Sequence, residues 1–145
     1  MKNTKYDALK LDNQLCFPLY ACSREIIKKY TPLLDELNLT YTQYIAMMLL
    51  WEYRSMTVKE IGARLYLDSG TLTPLLKKLE QKGLLDRARS KQDERNLIVT
   101  ITDEGMALRE KAVEIPAKLA KCVNLTPEEA KQLYGLLYKI MARDE

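Results

Sequence analysis

The sequence predicts a mostly α-helical chain with one small β-hairpin. Its 145 residues include only five glycines and five prolines, and long stretches without either favour helices. Three segments open with a capping box, in which a Thr and a Gln or Glu three residues later satisfy the first amides of a helix. These boxes begin at Thr40, Thr57 and Thr126. One run of β-branched residues, LIVTI at 97–101, predicts a strand.

The predicted elements follow one another with short connections. Helices are expected over about residues 11–37, 40–53, 57–65, 69–82, 103–123 and 127–141, and strands over about 84–90 and 96–102. Pro18 and Pro32 would break or bend the first helix. Asp68 or Ser69 caps the fourth helix, and Gly83 is placed to end it. This order is that of a winged helix-turn-helix with extra helices at both ends.

Composition excludes several kinds of protein. The chain has no His, which removes His-based general bases, Ser–His nucleophiles and most zinc sites. Cys16, Cys22 and Cys122 are an odd number with no C-x-x-C pair, so no metal knuckle is expected. We expect no cofactor or metal. No apolar run approaches the length that spans a bilayer, and the N-terminus has no apolar signal region, so we expect a cytoplasmic protein.

The positive charge is concentrated in the middle of the chain. The net charge is +3, and residues 54–95 hold ten basic and six acidic residues while the two ends are close to neutral. A basic middle between neutral ends suits a DNA-contacting lobe. Solvated protein faces often carry a similar excess, so charge alone does not establish the function.

The helix over residues 69–82 is the candidate for reading DNA. Four leucines at positions 72, 75, 76 and 79 share one face and are expected in the core. The remaining face is small, polar and basic, so it can enter a major groove about 12 Å wide. Its candidate DNA-binding residues are Ser69, Gly70, Thr71, Thr73, Lys77 and Lys78. Taken alone, the pattern also fits an ordinary amphipathic surface helix.

The predicted hairpin carries a second group of candidate DNA contacts. Arg87, Arg89, Lys91 and Arg95 cluster around one turn. An Arg on a protruding hairpin can insert into the narrow, electronegative minor groove. Asp93 lies two residues before Arg95 and is placed to hold it. The alternative is a charged turn that serves solubility.

Together these motifs resemble those of the MarR family of transcriptional regulators. The resemblance rests on residues 67–80 (LDSGTLTPLLKKLE), on the Asp-Glu-Arg of 93–95 and on residues 100–105 (TITDEG), and it extends over the whole chain. It implies a single domain, 1–145, with a winged lobe at about 39–102 and dimerisation helices at about 11–37 and 103–145. It also implies a homodimer on double-stranded operator DNA, each subunit reading one half-site of a pseudo-palindrome.

Cys16 lies in the second informative segment. Pro18 would sit best at the first helical position, which puts Cys16 at the helix start. A helix N-terminus favours a thiolate, and a thiolate attacks peroxides. The alternative is that Cys16 is a small core residue, the commonest role of an unpaired cysteine.

Residues 15–20 (LCFPLY) resemble the organic-hydroperoxide-sensing branch of the family. The resemblance implies that two tyrosines of the partner subunit, by position Tyr30 and Tyr41, hydrogen-bond the sensor sulfur of Cys16. After oxidation, members of the branch either capture a small thiol or form an intersubunit disulfide, for which Cys122 is placed. Cys122 is equally well explained as a structural residue. Pro18 departs from the branch, and Cys22 is expected in the core.

The leading hypothesis is therefore a repressor that releases its operator when an organic hydroperoxide oxidises Cys16, with a disulfide to Cys122 as one route. A small aromatic ligand is an alternative trigger, since many members of the family bind one. Thiol peroxidase chemistry at Cys16 is another alternative, although no Thr and Arg flank it as a second active-site group. The last is a DNA-binding dimer without an effector. We expect a regulator rather than an enzyme.

Overall fold

The structure, a computed structural model, describes residues 4–92 and 96–142. Two short 3-10 helices, Lys5–Leu9 and Leu11–Asn13, come first. The α-helices are α1 Cys16–Asp35, α2 Tyr41–Tyr53, α3 Val58–Leu65, α4 Ser69–Gln81, α5 Asp103–Ala107, α6 Arg109–Ala112, α7 Ile115–Ala120 and α8 Pro127–Met141. The strands are β1 Ser55–Thr57, β2 Leu85–Arg89 and β3 Leu97–Ile101. The mostly helical fold with a small antiparallel sheet is confirmed.

The sheet has three strands rather than the two of a simple hairpin. The order is β1-β3-β2, with both pairs antiparallel. Val99 of β3 lies opposite Met56 of β1 on one side and Arg87 of β2 on the other. β1 was not predicted, because three residues are too few to show the alternation that marks a strand. It connects the hairpin of β2 and β3, which is the wing of this fold, to the chain between α2 and α3.

Residues 1–114 form one compact unit with an apolar core. The core draws on α1, α2, α3, α4 and the sheet. Its largest fully buried side chains are Leu34, Met47, Leu50, Ile61, Leu72, Leu76, Leu79, Leu85 and Val99. The four leucines of α4 all face this core, as predicted. The opposite face of α4 is therefore held towards solvent.

The predicted helix starts are confirmed by their hydrogen bonds. Thr40 Oγ1 accepts from the Gln43 amide at 3.3 Å, and Thr57 Oγ1 accepts from the Glu60 amide at 3.1 Å. The boundary after α4 is also as predicted, since Gly83 has φ +79°, the left-handed conformation that ends helices.

The first helix is shorter than predicted. α1 begins at Cys16 rather than residue 11, and Pro18 occupies its third position rather than its first. A helix that included Gln14 would bring its carbonyl against the ring of Pro18 four residues later. Pro18 itself loses nothing, since the first amides of a helix have no partner inside it. Pro32 lies inside α1 without ending it.

The long helix predicted over 103–123 is wrong. Three short helices, α5, α6 and α7, replace it. Pro116 supplies one physical reason, because it has no amide hydrogen for the carbonyl of Ala112 four residues earlier. Thr102 caps α5 as predicted, its hydroxyl accepting from the Gly105 amide at 3.0 Å.

Residues 115–145 form a second compact unit. In α8 the capping box of Thr126 and the proline at the helix start are confirmed, and no side chain is buried. Its exposed large apolar side chains are Leu133, Tyr134, Leu136, Tyr138, Ile140 and Met141. Within the described ranges, no helix is long and apolar enough to cross a membrane.

Candidate DNA-binding surface and cysteine site

The start of α4 is fixed by the residue before it. The Asp68 carboxylate accepts a hydrogen bond from the Thr71 amide at 2.8 Å. This bond to the backbone lowers the pKa of Asp68. The preceding turn is closed by Tyr66, in the left-handed conformation at φ 57°, and by the Leu67 amide donating to the Gly62 carbonyl at 3.0 Å. These contacts set the direction in which α4 leaves α3.

The predicted contacts of α4 share one accessible surface. Thr73 is half-buried, and the others are exposed: Ser69, Gly70, Thr71, Lys77 and Lys78. Hydroxyls and ammonium groups on this surface can reach phosphates and base edges. Their contact with DNA remains a prediction.

The wing carries its predicted residues in two different environments. Arg89 and Lys91 are exposed. Arg87 instead lies against α4, where its guanidinium and its own amide bond the Glu80 carboxylate at 3.0–3.3 Å. Asp93 and Arg95 lie outside the described residues. Opposite charges seven residues apart across a helix–strand turn were the available signal for the Glu80–Arg87 pair, and sequence reasoning missed it.

The base of the wing is tied to two helices. Thr102 Oγ1 donates to the Gly83 carbonyl at 2.6 Å, and the Thr102 amide donates to the Leu84 carbonyl at 3.1 Å. The Trp51 indole donates to the Gly105 carbonyl at 2.8 Å. The segment after β3, noticed in the sequence as a motif, therefore fastens α5 to the turn after α4 and to α2. Trp51 was not predicted to take part.

All three cysteines are exposed, and no disulfide joins them within the chain. Cys16 is the first residue of α1 and is flanked by Leu15 and Phe17, which are 73 % and 44 % exposed. The expectation that Cys22 lies in the core is wrong for the single chain. Cys122 lies two residues beyond α7, in the second compact unit, with its sulfur 3.7 Å from the Lys118 carbonyl.

The two predicted tyrosines lie together in an aromatic cluster. The ring centroids of Tyr30 and Tyr41 are 4.9 Å apart, and Tyr44 lies 5.8 and 6.3 Å from them. Burial, and then the neighbouring Tyr41 and Tyr44, raises the pKa of Tyr30 to about 12. Burial also raises the pKa of Tyr41. Both phenols are protonated at neutral pH, as a tyrosine of ordinary pKa also is, and they keep a hydrogen to donate. Tyr44 was not predicted as a member.

Within residues 4–92 and 96–142, no group of three or more His, Cys, Asp or Glu side chains is placed to hold a metal ion. What the fold presents is a helix-turn-helix whose second helix exposes a polar, basic face beside a two-stranded wing. That arrangement defines a DNA-binding protein of the winged-helix class.

Comparisons with known proteins identify the family within that class. The family described as transcriptional regulator SarA/Rot matches residues 28–112. The organic hydroperoxide resistance transcriptional regulator of Bacillus subtilis is 53 % identical over 94 % of this chain and 93 % of its own length. The regulator SarZ of Staphylococcus aureus is 43 % identical over 92 % and 90 %. The chain belongs to the MarR family of transcriptional regulators, in the branch of the organic hydroperoxide regulators.

Solved structures agree with this assignment. Reduced AbfR bound to DNA has a TM-score of 0.79 and 38 % identity, covering 95 % of this chain and 96 % of that one. The disulfide form of AbfR has a TM-score of 0.67 and 37 % identity, covering 95 % and 97 %. A mutant of Escherichia coli MarR complexed with operator DNA, at 23 % identity and a TM-score of 0.78, supports the fold; it covers 97 % and 100 %.

Proposed function

We propose that the protein is a homodimeric repressor that releases its operator when an organic hydroperoxide oxidises Cys16. The observation that carries this is the placement of Cys16, exposed at the first residue of α1 beside exposed apolar side chains. No side chain caps the start of α1, so its first amides remain available to an anionic sulfur. Leu15 and Phe17 provide an apolar surface suited to the organic part of a hydroperoxide.

The proposed chemistry balances without a cofactor. The Cys16 thiolate attacks the terminal oxygen of the hydroperoxide, an S–O bond forms, the O–O bond breaks, and the alkoxide leaves as the alcohol after taking a proton. The thiolate of the partner subunit's Cys122 then attacks the sulfenic sulfur, an S–S bond forms, and hydroxide leaves as water once protonated. A small thiol in place of Cys122 gives the mixed disulfide. Sensor and thiol peroxidase share this step, and multiple-turnover consumption of hydroperoxide with a reductant would contradict the sensor role.

The tyrosine cluster supports this role. A protonated phenol can donate to a thiolate, and the rings of Tyr30 and Tyr41 lie together, with centroids 4.9 Å apart, so that both can serve one acceptor. In the proposed dimer these donors meet the Cys16 of the partner subunit. Oxidation of Cys16 removes the thiolate, so the hydroxyls of Tyr30 and Tyr41 lose the anionic acceptor of their hydrogen bonds.

The exposed helix faces support the dimer. Six large apolar side chains of α8 are exposed, and contiguous exposed apolar surface marks protein interfaces in soluble proteins. We assign the dimer contacts to the helices within about 11–37 and 103–145, and the DNA contacts to the winged lobe at about 39–102. Each subunit reads one half-site through α4, with Arg89 and Lys91 near phosphate or the minor groove. Arg95 retains its predicted role in the minor groove, and Asp93 its predicted role of holding Arg95.

The test is a gel shift on the DNA upstream of the protein's own gene. Reduced protein is compared with protein treated with cumene hydroperoxide, for wild type, Cys16→Ser and Cys22→Ser. Cys22 is the matched control, because it is also exposed on α1. We expect hydroperoxide to release wild type and Cys22→Ser, while Cys16→Ser stays bound. Release of Cys16→Ser, or no release of wild type, would refute the proposal and direct attention to a small aromatic effector.

A further inference from the structure

The contact between Glu80 and Arg87 joins the two DNA-reading elements. Glu80 is the last residue but one of α4, and Arg87 is the middle residue of β2. Arg87 Nη2 lies 3.1 Å and Nε 3.3 Å from Glu80 Oε1, and the Arg87 amide donates to Oε2 at 3.0 Å. One carboxylate therefore binds both the side chain and the backbone of the wing strand.

The backbone bond matters because β2 is an edge strand. In the order β1-β3-β2, the outward amides of β2 have no strand to pair with. At Arg87, the Glu80 carboxylate accepts the amide hydrogen bond that a neighbouring strand would accept in the middle of a sheet. Along the chain, the short turn around Gly83 links α4 to β2, and the Thr102 hydroxyl donates to the Gly83 carbonyl in that turn. Glu80 thus supplies a polar attachment of the wing to α4 in addition to that turn.

The same contact changes what Arg87 can do. Its side chain is only 18 % exposed and that of Glu80 36 % exposed, and the charge of each offsets the other. A guanidinium that is held by a carboxylate through two nitrogens is poorly placed to bind a phosphate. An unpaired acid next to a DNA surface would itself oppose binding through repulsion of phosphates.

We propose that Glu80 is a positioning residue for DNA binding, which fixes the wing to α4 through Arg87, and that Arg87 is not itself a DNA contact. With both attachments in place, α4 and the wing reach neighbouring grooves of the DNA at a set separation. This inference depends on DNA binding through the winged lobe but not on peroxide sensing. It is therefore tested on reduced protein, where the outcome is independent of Cys16.

The two assignments of Arg87 predict opposite results for Glu80→Ala. If Arg87 were a DNA contact, removing its acidic partner would free the guanidinium and remove a repulsive charge, so affinity would rise. If Glu80 positions the wing, affinity falls, and we expect about a tenfold loss on the DNA upstream of the gene. Asp86→Ala is the matched control. Asp86 is the exposed neighbour of Arg87 on β2. Its removal takes away the same negative charge but leaves the contact between Glu80 and Arg87 in place.

Two further readouts separate positioning from a general loss of stability. In hydroxyl-radical footprints at saturating protein, Glu80→Ala should lose minor-groove protection beside each half-site while the major-groove protection under α4 remains. The milder Glu80→Gln should lose less of both affinity and wing protection, and it serves where Glu80→Ala does not fold. For Arg87→Ala, the slope of log affinity against log salt should equal that of wild type. A lost phosphate contact would reduce the slope by about 0.9 per contact.

Glu80 variants that bind as tightly as wild type or tighter would overturn the proposal. It would equally fall if both footprints weakened together, or if Arg87→Ala reduced the salt slope by the amount of a phosphate contact in each subunit.

Discussion

At the scale of single residues, Gly105 is the position least able to accept a side chain. A Cβ there would overlap the Leu84 carbonyl oxygen and lie 2.8 Å from Ile101 Cγ1. We expect Gly105→Ala to lower the free energy of unfolding by more than about 2 kcal/mol, because backbone must move to relieve the overlap. Urea unfolding at equal protein concentration measures the effect, since dimers gain stability with concentration.

Gly70→Ala is the control for this substitution. Its new Cβ would meet only the Asp68 carboxylate at an ordinary 3.5 Å, so stability should be unchanged or slightly raised. Equal stability of the two variants would mean that the approach of α5 to Leu84 is not close in solution.

Residue roles could be predicted from sequence where they depend on near neighbours. The caps at Thr40, Thr57 and Thr102 follow from side chains that reach amides three residues away. The bond from Trp51 to Gly105 spans 54 residues and has no local signature. Arg87 shows the limit most clearly, because its basic character predicts a DNA contact but does not indicate that its guanidinium lies against the Glu80 carboxylate.

At the scale of elements, α4 depends on the carboxylate at its start. The Thr71 amide lowers the pKa of Asp68, so this carboxylate stabilises the folded state above its unfolded pKa of about 3.8. This stabilisation is lost as the pH falls through the pKa that Asp68 has in the folded state, which is lower. We expect Asp68→Ala to reduce Tm by roughly 2–4 °C at pH 7. The reduction should shrink below about pH 4.

Asp68→Asn separates the hydrogen bond from the charge. Asn is also a good N-cap, so its Tm at pH 7 should fall less than that of the Ala variant. Thermal unfolding at pH 7, 5 and 3 gives both comparisons. A deficit for Asp68→Ala as large at pH 3 as at pH 7 would show that the ionised carboxylate is not what stabilises α4.

Element boundaries were predictable where a pattern had a clear end. Capping boxes and Gly83 placed α2, α3 and α4 to within one residue. The failures involve prolines, since Pro18 prevents α1 from extending back to residue 11 and Pro116 contributes to the interruption of the region predicted as one helix. β1 exists because β3 offers it a free edge, and such pairing depends on tertiary contact rather than on its own three residues.

At the scale of the whole molecule, the two cysteines of the proposed disulfide belong to different compact units. Cys16 lies in the unit of residues 1–114 and Cys122 in the unit of residues 115–145. No side chain of α8 is buried. Periodicity could predict the apolar face of this helix, but which surfaces meet depends on the complementarity of two copies. Which thiol reacts with oxidised Cys16 therefore has to be determined on the proposed dimer.

The route of oxidation can be read from the size of the oxidised protein. With one equivalent of cumene hydroperoxide and no added thiol, wild type and Cys22→Ser should run on non-reducing gels at twice the 16.8 kDa subunit mass. Cys16→Ser and Cys122→Ser should stay monomeric, because each lacks one end of the intersubunit bond. A dimer band that persists in Cys122→Ser would exclude this disulfide. If wild type stays monomeric but gains the mass of an added small thiol on Cys16, the mixed-disulfide route operates and Cys122 is structural.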